Sequence, residues 1–334
     1  MDKMLLLDTS VGSLNKGDDI IMKCVKDQLK DITKDAFLLT LPTHVSPFHW
    51  YQVARGSHRV QIYKDAKYKF IGGSNLLTMD MLTHFPQWNI NLFNYGPLKG
   101  SILVGVGAGK GNKVNKYTKL LYKKVLSHEY AHSVRDERTK QIVENLGFKA
   151  INTGCATLWS LTKDFCEDIP VKKSDAVVFT LTASSRVYKE DQVLINTLNK
   201  NYKTVYFWIQ GMNDLDYIKQ FKNIENIIIL PPTLDDFEKI LSTDIDYIGT
   251  RLHGGIYAMR KKKRSIIISI DERAAGMSET YNLNTINRNE IHQLDKLINS
   301  EIITGVNVNF NNVDQWFRQF EPGQVIENEK QDIS

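Results

Sequence analysis

Short apolar runs alternate with helix-forming segments along almost the whole chain. In the first half, strands are predicted at MLLLDT (4–9), AFLLTL (36–41), KFIGGS (69–74), SILVGVG (101–107) and AHSVRD (131–136), and helices at 18–30, 115–128 and 137–146. Val, Ile and Leu occupy consecutive positions in these runs, as in strands that are covered on both faces. The alternation therefore predicts βαβ units around parallel sheets.

The pattern pauses over residues 157–173, where TLWSLTKDFCEDIPVKK has a Pro, several charges and no clear period. We interpret this stretch as an interdomain linker. Beyond it, strands are predicted at AVVFTLT (176–182), TVYFWIQ (204–210), NIIILPP (226–232), DYIGTR (246–251) and SIIISID (265–271), and helices at 189–200, 213–222, 233–242 and 254–263. Thr233, which precedes two aspartates, is predicted to begin the third of these helices.

The predicted architecture is α/β, with two Rossmann-like domains that face each other across a cleft. Their expected bounds are 1–156 for the N-terminal domain, 157–173 for the linker and 174–310 for the C-terminal domain, with a helix and frayed tail at 311–334. The QWFRQF segment of the tail is expected to pack back on one domain. Because ligands of open α/β sheets sit at the carboxyl ends of the strands, the informative residues should follow the strands.

Composition excludes several classes of protein. The chain has 334 residues, of which 42% are hydrophobic and 24% charged, so disorder, collagen and coiled coil are excluded. No apolar run approaches the ~20 residues of a membrane-spanning helix. The N-terminus is not expected to be a signal peptide, since Asp8 ends its short apolar run.

Cysteine usage and charge bear on compartment and partners. Cys24, Cys155 and Cys166 form no CxxC motif, which favours a reduced cytoplasmic protein over a disulfide scaffold. The net charge of +5 is a mild excess that suits an anionic substrate or surface but requires neither.

Two glycine-containing motifs follow predicted strands. In NKGDD (15–19), Gly17 allows a tight turn at a helix N-terminus, and Asp18 is either a helix cap or a catalytic base. In GGSN (72–75), the glycines admit a ligand close to the backbone or simply form a turn between strand and helix.

Two further motifs resemble known signatures without matching them fully. GVGAGKG (105–111) fails both the GxGxxG and the P-loop template, so a flexible glycine loop is the prediction. HEYAH (128–132) matches the zinc protease signature, but that chemistry needs both histidines on one helix face, whereas His132 begins a predicted strand. The alternative is a helix C-terminus at which His128 complements the dipole.

Basic residues follow two of the predicted strands, and GTRLHGG (249–255) is the strongest signal in the chain. Arg135 in SVRDERT is placed to bind a carboxylate or phosphate through two nitrogens, or else belongs to a surface loop. GTRLHGG (249–255) combines Arg251, His253 and two glycines at a helix N-terminus, which suits anion binding together with proton transfer.

Two other basic features remain open. Arg273 follows the next strand and either reaches the same cleft or is solvated. The run RKKKR (260–264) allows three interpretations: a nucleic-acid or nuclear-localisation segment, a helix C-terminus favoured by the dipole, or attraction to anionic lipid.

Taken in order and spacing, these motifs resemble the polysaccharide pyruvyl transferase family. The segments that carry the resemblance are NKGDD, GGSNLL, SVRDERT…LGFKAINTGCATL and GTRLHGGIYAM…IIISIDERAAGM, and they span about residues 7–277. The RLHG block is the most specific of them.

The resemblance implies a GT-B-like fold and a phosphoenolpyruvate-dependent transferase. The implied product is a cyclic pyruvate ketal on two hydroxyls of a sugar in a bacterial capsule, an exopolysaccharide or a lipid-linked precursor, with release of phosphate. The N-terminal domain would be the acceptor side and the C-terminal domain the donor side. No metal or other cofactor is implied, and no nucleic acid; the expected location is cytoplasmic, with peripheral contact to an anionic membrane left open.

The resemblance also implies roles for individual residues. Family roles carry over to Arg135, Arg251, Leu252 (through its backbone) and His253; Arg273, where the family commonly has Lys, joins the donor-binding set. His253 is the candidate acid and Asp18 a candidate base. Further binding candidates are Asn15, Gly17, Gly73, Ser74, Asn75 and Gln210. The family often has an Asp near TGCATL, where this chain has Gly154 and Cys155; if that Asp binds the acceptor, a different acceptor is expected here.

Three other functions compete with pyruvyl transfer. A glycosyltransferase with a nucleotide-sugar donor would use the same fold and basic residues. A non-catalytic glycan- or anion-binding relative would keep the fold alone. A zinc hydrolase is the third and rests on HEYAH.

Overall fold

The computed structural model describes residues 1–82, 87–111, 113–270 and 272–321, with the side chains of residues 272–274 left out. Strands and helices alternate as predicted. The strands are β1 (Asp2–Asp8), β2 (Ala36–Pro42), β3 (Tyr68–Gly72), β4 (Ser101–Val104), β5 (His132–Val134), β6 (Ala150–Asn152), β7 (Ala176–Thr180), β8 (Thr204–Trp208), β9 (Ile228–Leu230), β10 (Asp246–Gly249), β11 (Ser265–Ser269) and β12 (Thr285–Asn287).

The helices fall between the strands and after the last one. They are α1 (Gly17–Gln28), α2 (Lys30–Thr33), α3 (Trp50–Ala54), α4 (His58–Lys64), α5 (Lys116–Val125), α6 (Glu137–Asn145), α7 (Lys163–Glu167), α8 (Tyr188–Asn201), α9 (Asp214–Ile218), α10 (Leu234–Leu241), α11 (Leu252–Arg260), α12 (Glu272–Tyr281), α13 (Leu294–Ile298) and α14 (Phe310–Arg318), with short 3-10 helices at Gly96–Leu98 and Arg288–Gln293. Thr233 caps α10 as predicted, since its side chain accepts the Asp236 N–H.

The chain divides into two compact units. The first unit contains residues 1–8, 26–156 and 309–334, and the second contains 9–25 and 157–308. This division differs from the predicted domains in one respect that matters for function, because residues 9–25, which include NKGDD, group with the second unit.

The first unit is built on a parallel sheet of order β2-β1-β3-β4. The parallel pair β5-β6 lies beside it, and a bridge joins Val106 to Val134. Strand order reverses between β1 and β3, and such a switch point is where ligands bind in open α/β sheets. The core contains Leu5, Ile71 and Leu103, which have no exposed surface.

The second unit has a parallel sheet of order β12-β11-β10-β7-β8-β9. This is the Rossmann order: the chain runs from β7 outward through β8 to β9 and then returns to β10 on the other side of β7, so the switch point lies between β7 and β10. Val177, Phe179 and Ile248 are fully buried in its core. Long aliphatic runs such as IIIS in β11 form buried strands here because helices cover both faces of the sheet.

The segment 157–173 is not the bare linker that was expected. It contains α7, and it buries Leu158, Trp159 and Leu161. Its apolar side chains lack a helical or alternating period, yet burying them still stabilises the fold. The absence of a period in the sequence was interpreted as an interdomain linker, and that interpretation was wrong for this segment.

The predicted C-terminal helix is present as α14 and belongs to the first unit. Trp316 is buried and its Nε1 donates a hydrogen bond to Ala131 O at 2.8 Å. The frayed tail predicted at 324–334 lies outside the described residues. None of the helices in the described ranges combines the length and apolarity required to cross a bilayer.

Candidate functional site

The predicted site residues fall into two groups, one in each unit. The second-unit group contains Asn15, Gly17, Asp18, Gln210, Arg251, Leu252 and His253. The first-unit group contains Gly73, Ser74, Asn75 and Arg135. The expectation that NKGDD belongs to the N-terminal domain was wrong, since it joins Arg251 and His253 in the second unit.

Arg251 lies at the switch point of the second-unit sheet. It follows β10 and occupies the N-cap position of α11 in an extended conformation. Its Nε donates to Leu181 O, just after β7, at 3.1 Å, and its Nη2 lies 2.7 Å from both carboxylate oxygens of Asp214. Within the described chain Nη1 has no partner, so it is the guanidinium nitrogen available to a ligand.

Asp214, which sequence reasoning missed, fixes the position of this guanidinium. The carboxylate has no exposed surface and also accepts the N–H groups of Ala183 at 3.0 Å and Gly211 at 2.7 Å. Buried carboxylates require such partners. The available signal was an Asp four residues beyond the predicted TVYFWIQ run (204–210), in the first turn of the helix predicted at 213–222.

Glycines allow the arginine and its neighbours to approach the backbone. A Cβ on Gly211 would clash with Arg251 Nη2. A Cβ on Gly254 would lie 2.8 Å from Tyr247 Oη and 2.9 Å from Gln210 Oε1. These positions therefore need glycine for close packing rather than for loop flexibility.

The NKGDD segment lies against the loop after β8. Asn15 forms an antiparallel bridge with Gly211, and Lys16 N donates to Gln210 O at 2.8 Å. Gln210 Nε2 donates to Asn15 Oδ1 at 3.0 Å, and Asn15 Oδ1 also accepts the Gly17 N–H at 3.1 Å. Gln210 is buried, and its Oε1 has no hydrogen-bond partner in the described chain. The predicted binding candidates of the second unit therefore do come together.

Asp18 was interpreted as either a helix cap or a catalytic base, and the structure shows that it is not the helix cap. It is the second residue of α1, is half-buried, and its Oδ2 accepts the Ser13 hydroxyl at 2.5 Å. The role of a catalytic base remains a prediction. Arg273 lies in α12, but its side chain is outside the described residues.

Leu252 and His253 form the first turn of α11. Leu252 is buried and His253 is half-buried. The N–H groups of a first helical turn have no partner within the helix and carry partial positive charge, so this turn favours an anion. The position of His253 beside that turn suits a proton donor to a bound anion.

The GGSN turn of the first unit interlocks with the glycine loop at 105–111. Gly73 and Ser74 have positive φ angles of 51° and 66°. Gly107 N donates to Ser74 O at 2.8 Å, and Leu77 N donates to Gly107 O at 3.1 Å. A positive φ is unfavourable for serine, and the hydrogen bond from Gly107 N to Ser74 O helps to hold Ser74 in this strained conformation.

Arg135 follows β5 and is buried against this turn. Its Nη2 donates to Asn75 Oδ1, and its Nε lies 3.3 Å from Asp136 Oδ2. A Cβ on Gly107 would clash with the guanidinium. The alternative of an incidental surface loop is therefore wrong for Arg135, whose residue exposure is 6%.

A second arginine, Arg138, holds the glycine loop in place and was missed from the sequence. Its Nη2 donates to the carbonyls of Gly109, at 2.6 Å, and Gly111, while Nη1 lies 3.3 Å from Ala108 O. The expected flexible loop at 105–111 is thus fixed by side-chain hydrogen bonds.

HEYAH does not form a zinc-protease helix. His132 lies in β5, fully buried, with Nδ1 accepting from Leu103 N at 3.2 Å and Nε2 donating to Ser127 O at 3.0 Å. Burial lowers the pKa of His132 to about 4. His128 follows α5 and contacts Lys123 O at 2.9 Å, as expected for a helix C-terminus. Across the described ranges, no group of three or more His, Cys, Asp or Glu is arranged to hold a metal.

The basic run 260–264 forms contacts within the second unit. Its partners are the Ser160 hydroxyl for Arg260, Glu238 for Lys261, Asp168 for Lys262, the Thr243 carbonyl for Lys263 and Asp246 for Arg264. These contacts favour the interpretation as a helix C-terminus. The three cysteines are buried, and burial raises the pKa of Cys166.

Solved structures with a similar fold include a UDP-GlcNAc 2-epimerase and a complex of MnaA with UDP. The UDP-GlcNAc 2-epimerase of Methanocaldococcus jannaschii superimposes with a TM-score of 0.57 at 12% identity, covering 96% of this chain and 99% of that chain. The S. aureus MnaA–UDP co-structure gives 0.50 at 10% identity, covering 97% and 99%. At such identities the likeness concerns the fold alone, and it confirms the predicted GT-B-like α/β fold.

Sequence comparison gives the family. A search of curated proteins gives no match. The family description Polysaccharide pyruvyl transferase matches residues 15–272, a span that contains NKGDD, GGSN, RDE and RLHG. The chain belongs to the polysaccharide pyruvyl transferase family, as its motifs predicted.

Proposed function

We propose that this protein transfers the pyruvyl unit of phosphoenolpyruvate to two hydroxyls of a sugar, forming a cyclic ketal and releasing phosphate. The acceptor is a bacterial cell-surface polysaccharide or its lipid-linked precursor, and the reaction takes place in the cytoplasm. The observation that carries the proposal is the RLHG segment at the switch point of the second-unit sheet, within a chain that belongs to a family of pyruvyl transferases.

Phosphoenolpyruvate carries a phosphate and a carboxylate, and the second-unit group offers suitable partners. Arg251 Nη1 and the N–H of Leu252 at the start of α11 bind the phosphate in this proposal. Because Asp214 neutralises much of the Arg251 charge, the first turn of α11 contributes part of the attraction. Arg135 is proposed to bind a carboxylate or phosphate, as its sequence position predicts. Arg273 is proposed as a further cation that binds the donor.

His253 acts as the acid that begins the reaction. It gives a proton to the methylene carbon of phosphoenolpyruvate, and positive charge develops on the neighbouring carbon. A sugar hydroxyl adds to that carbon, and Asp18 takes the hydroxyl proton. The C–O bond to phosphate then breaks, and the second hydroxyl adds and gives its proton to the released phosphate, which closes the ketal. The proposed steps involve only phosphoenolpyruvate, the two hydroxyls and proton transfers, so they require no cofactor.

Phosphate release tests the proposal. Purified protein is incubated with phosphoenolpyruvate and a panel of glycosides, and the products are identified by mass spectrometry. We expect phosphate release that depends on both substrates, a product that carries a pyruvate ketal, and activity that persists in EDTA. Turnover of UDP- or GDP-sugars in place of phosphoenolpyruvate would overturn the proposal in favour of a glycosyltransferase.

A further inference from the structure

A concavity of about 450 Å³ lies in the first unit, apart from the residues discussed so far. It is lined by side chains from two segments, 46–50 and 91–94. The first segment follows β2, and Asn89 N, just before the second, donates to Thr43 O at 2.7 Å. The concavity is therefore at the carboxyl edge of the first-unit sheet, the edge at which ligands of such sheets bind.

Two large aromatic rings are exposed in this concavity. Trp50 is 66% exposed and Phe93 is 75% exposed, whereas Trp88, Trp159, Trp208 and Trp316 are all buried. Exposing such rings forgoes the free energy of burial, on the order of 2–3 kcal/mol for a large apolar side chain. Exposed rings in a concave site are typical of a ligand surface.

Hydrogen bonds hold the two segments in a fixed relation. Asn94 is buried, and its Nδ2 donates to Ser46 Oγ at 2.9 Å while its Oδ1 accepts the Asn91 N–H at 2.7 Å. Asn91 Oδ1 accepts the Phe93 N–H at 2.8 Å. Within the described residues Asn91 Nδ2 has no partner, which leaves an amide donor in the lining.

The lining contains aromatic, amide, hydroxyl and imidazole side chains but no Lys, Arg, Asp or Glu. A phosphate or nucleic acid would require cations, and an acyl chain would gain nothing from the amides. A saccharide combines apolar C–H faces, which stack on rings, with hydroxyls, which accept and donate hydrogen bonds. The chemistry of the lining thus matches a neutral sugar.

We infer that this concavity is a saccharide-binding subsite for the acceptor glycan, with Trp50 and Phe93 stacking on sugar faces and Asn91 Nδ2 donating to a hydroxyl or ring oxygen. The inference rests on the proposed function for the identity of the glycan as acceptor. The subsite itself requires only that a saccharide binds.

Tryptophan emission reports this binding directly, because Trp50 is the exposed indole among four buried ones. The protein is titrated, without phosphoenolpyruvate, with methyl glycosides of glucose, galactose, mannose and N-acetylglucosamine. We expect at least one glycoside to shift the emission and to protect it from iodide quenching. Trp50→Phe should abolish the emission change, and Phe93→Ala and Asn91→Ala should weaken binding by about tenfold each. Phe37→Ala is the matched control, since Phe37 is 58% exposed on β2 and outside the concavity.

The outcomes separate this inference from the proposed function. Glycoside binding that is lost in Phe93→Ala supports the subsite even if no phosphate is released from phosphoenolpyruvate. No response to any glycoside, or equal binding by Phe93→Ala and Phe37→Ala, overturns it. A change in Trp50 emission with phosphatidylcholine or phosphatidylglycerol vesicles but with no glycoside would also overturn it and assign the surface to lipid.

Discussion

Arg251 Nη2 lies 2.7 Å from both carboxylate oxygens of Asp214, a side chain with no exposed surface. The same oxygens accept backbone N–H groups that follow two neighbouring strands, from Ala183 after β7 and from Gly211 after β8. Asp214 therefore joins two strand ends to the start of α11. Its role is to position the arginine.

Asp214→Ala should lower the free energy of unfolding by about 3–5 kcal/mol, because it leaves the Arg251 charge without its partner. Urea denaturation measures this loss. Asp216→Ala is the matched control, since Asp216 lies on the same helix but is exposed, and we expect a change within about 0.5 kcal/mol. Equal stability of the two variants would contradict the positioning role.

Gly107→Ala should impair the first-unit group, because the added Cβ would clash with the Arg135 guanidinium. Overpacking of this kind costs about 1–3 kcal/mol in stability. Displacement of Arg135 should also lower kcat/KM for phosphoenolpyruvate by about tenfold or more, measured by phosphate release. Gly109→Ala is the control in the same loop, since its Cβ would meet Leu77 O at an ordinary 3.6 Å. Equal kcat/KM values for the two variants would contradict the role of Arg135 in binding phosphoenolpyruvate.

His253→Ala should reduce kcat by about 10²–10⁴-fold, the usual contribution of a positioned acid. Thermal unfolding should be unchanged, since His253 is half-buried and its imidazole is not part of the apolar core. His292→Ala, an exposed histidine of the same unit, should retain full turnover. Near-wild-type turnover of His253→Ala would remove the residue from the chemistry.

Strands were predictable where several apolar residues follow each other, as in β7 and β11, because burial on both faces requires that pattern. The three-residue strands β6 and β12 were missed, since AIN and TIN contain no apolar run. The 157–173 segment was misjudged for a related reason: Leu158 and Trp159 are buried without belonging to a periodic element.

Site positions were predictable because ligand-binding residues follow parallel strands, and Arg135, Arg251 and His253 do so. Membership of the two units was not predictable in the same way. NKGDD is attached to the second unit by Lys16 N and Gln210 O, main-chain groups that every residue carries. Asp214 was missed for a similar reason: two of its partners, Ala183 and Arg251, are distant in the sequence and are identified only when the fold brings the strand ends together.

Acid should destabilise the protein through His132. Its folded pKa is about 4, against about 6.5 for unfolded histidine, because the buried ring is neutral. Over this interval the unfolded state binds more protons, so stability falls as pH decreases from 6.5 to 4, by up to about 3 kcal/mol. Urea denaturation at pH 7, 6, 5 and 4.5 measures the slope.

The variant His132→Gln tests whether His132 causes this dependence of the free energy of unfolding on pH. In His132→Gln the amide can still donate to Ser127 O but does not titrate, so its stability should fall less over the same interval. The ring ¹³C shifts of wild-type His132 should also remain those of a neutral imidazole at pH 5.5. A protonated ring at that pH would contradict the prediction.

The run 260–264 should contribute to stability mainly through its last residue. Arg264 is 1% exposed, its Nη1 lies 2.8 Å from Asp246 Oδ2, and its Nη2 donates to the carbonyl of Ile298 at 2.8 Å. Arg264→Met should cost about 3–5 kcal/mol, because Asp246 loses its cation in a site where burial already raises its pKa. Lys262→Ala removes an exposed ion pair with Asp168 and should cost at most about 1 kcal/mol. Both variants are compared by urea denaturation, and binding of the lysine variant to phosphatidylglycerol vesicles should equal that of wild type. A lysine variant that loses vesicle binding with unchanged stability would assign the run to the membrane instead.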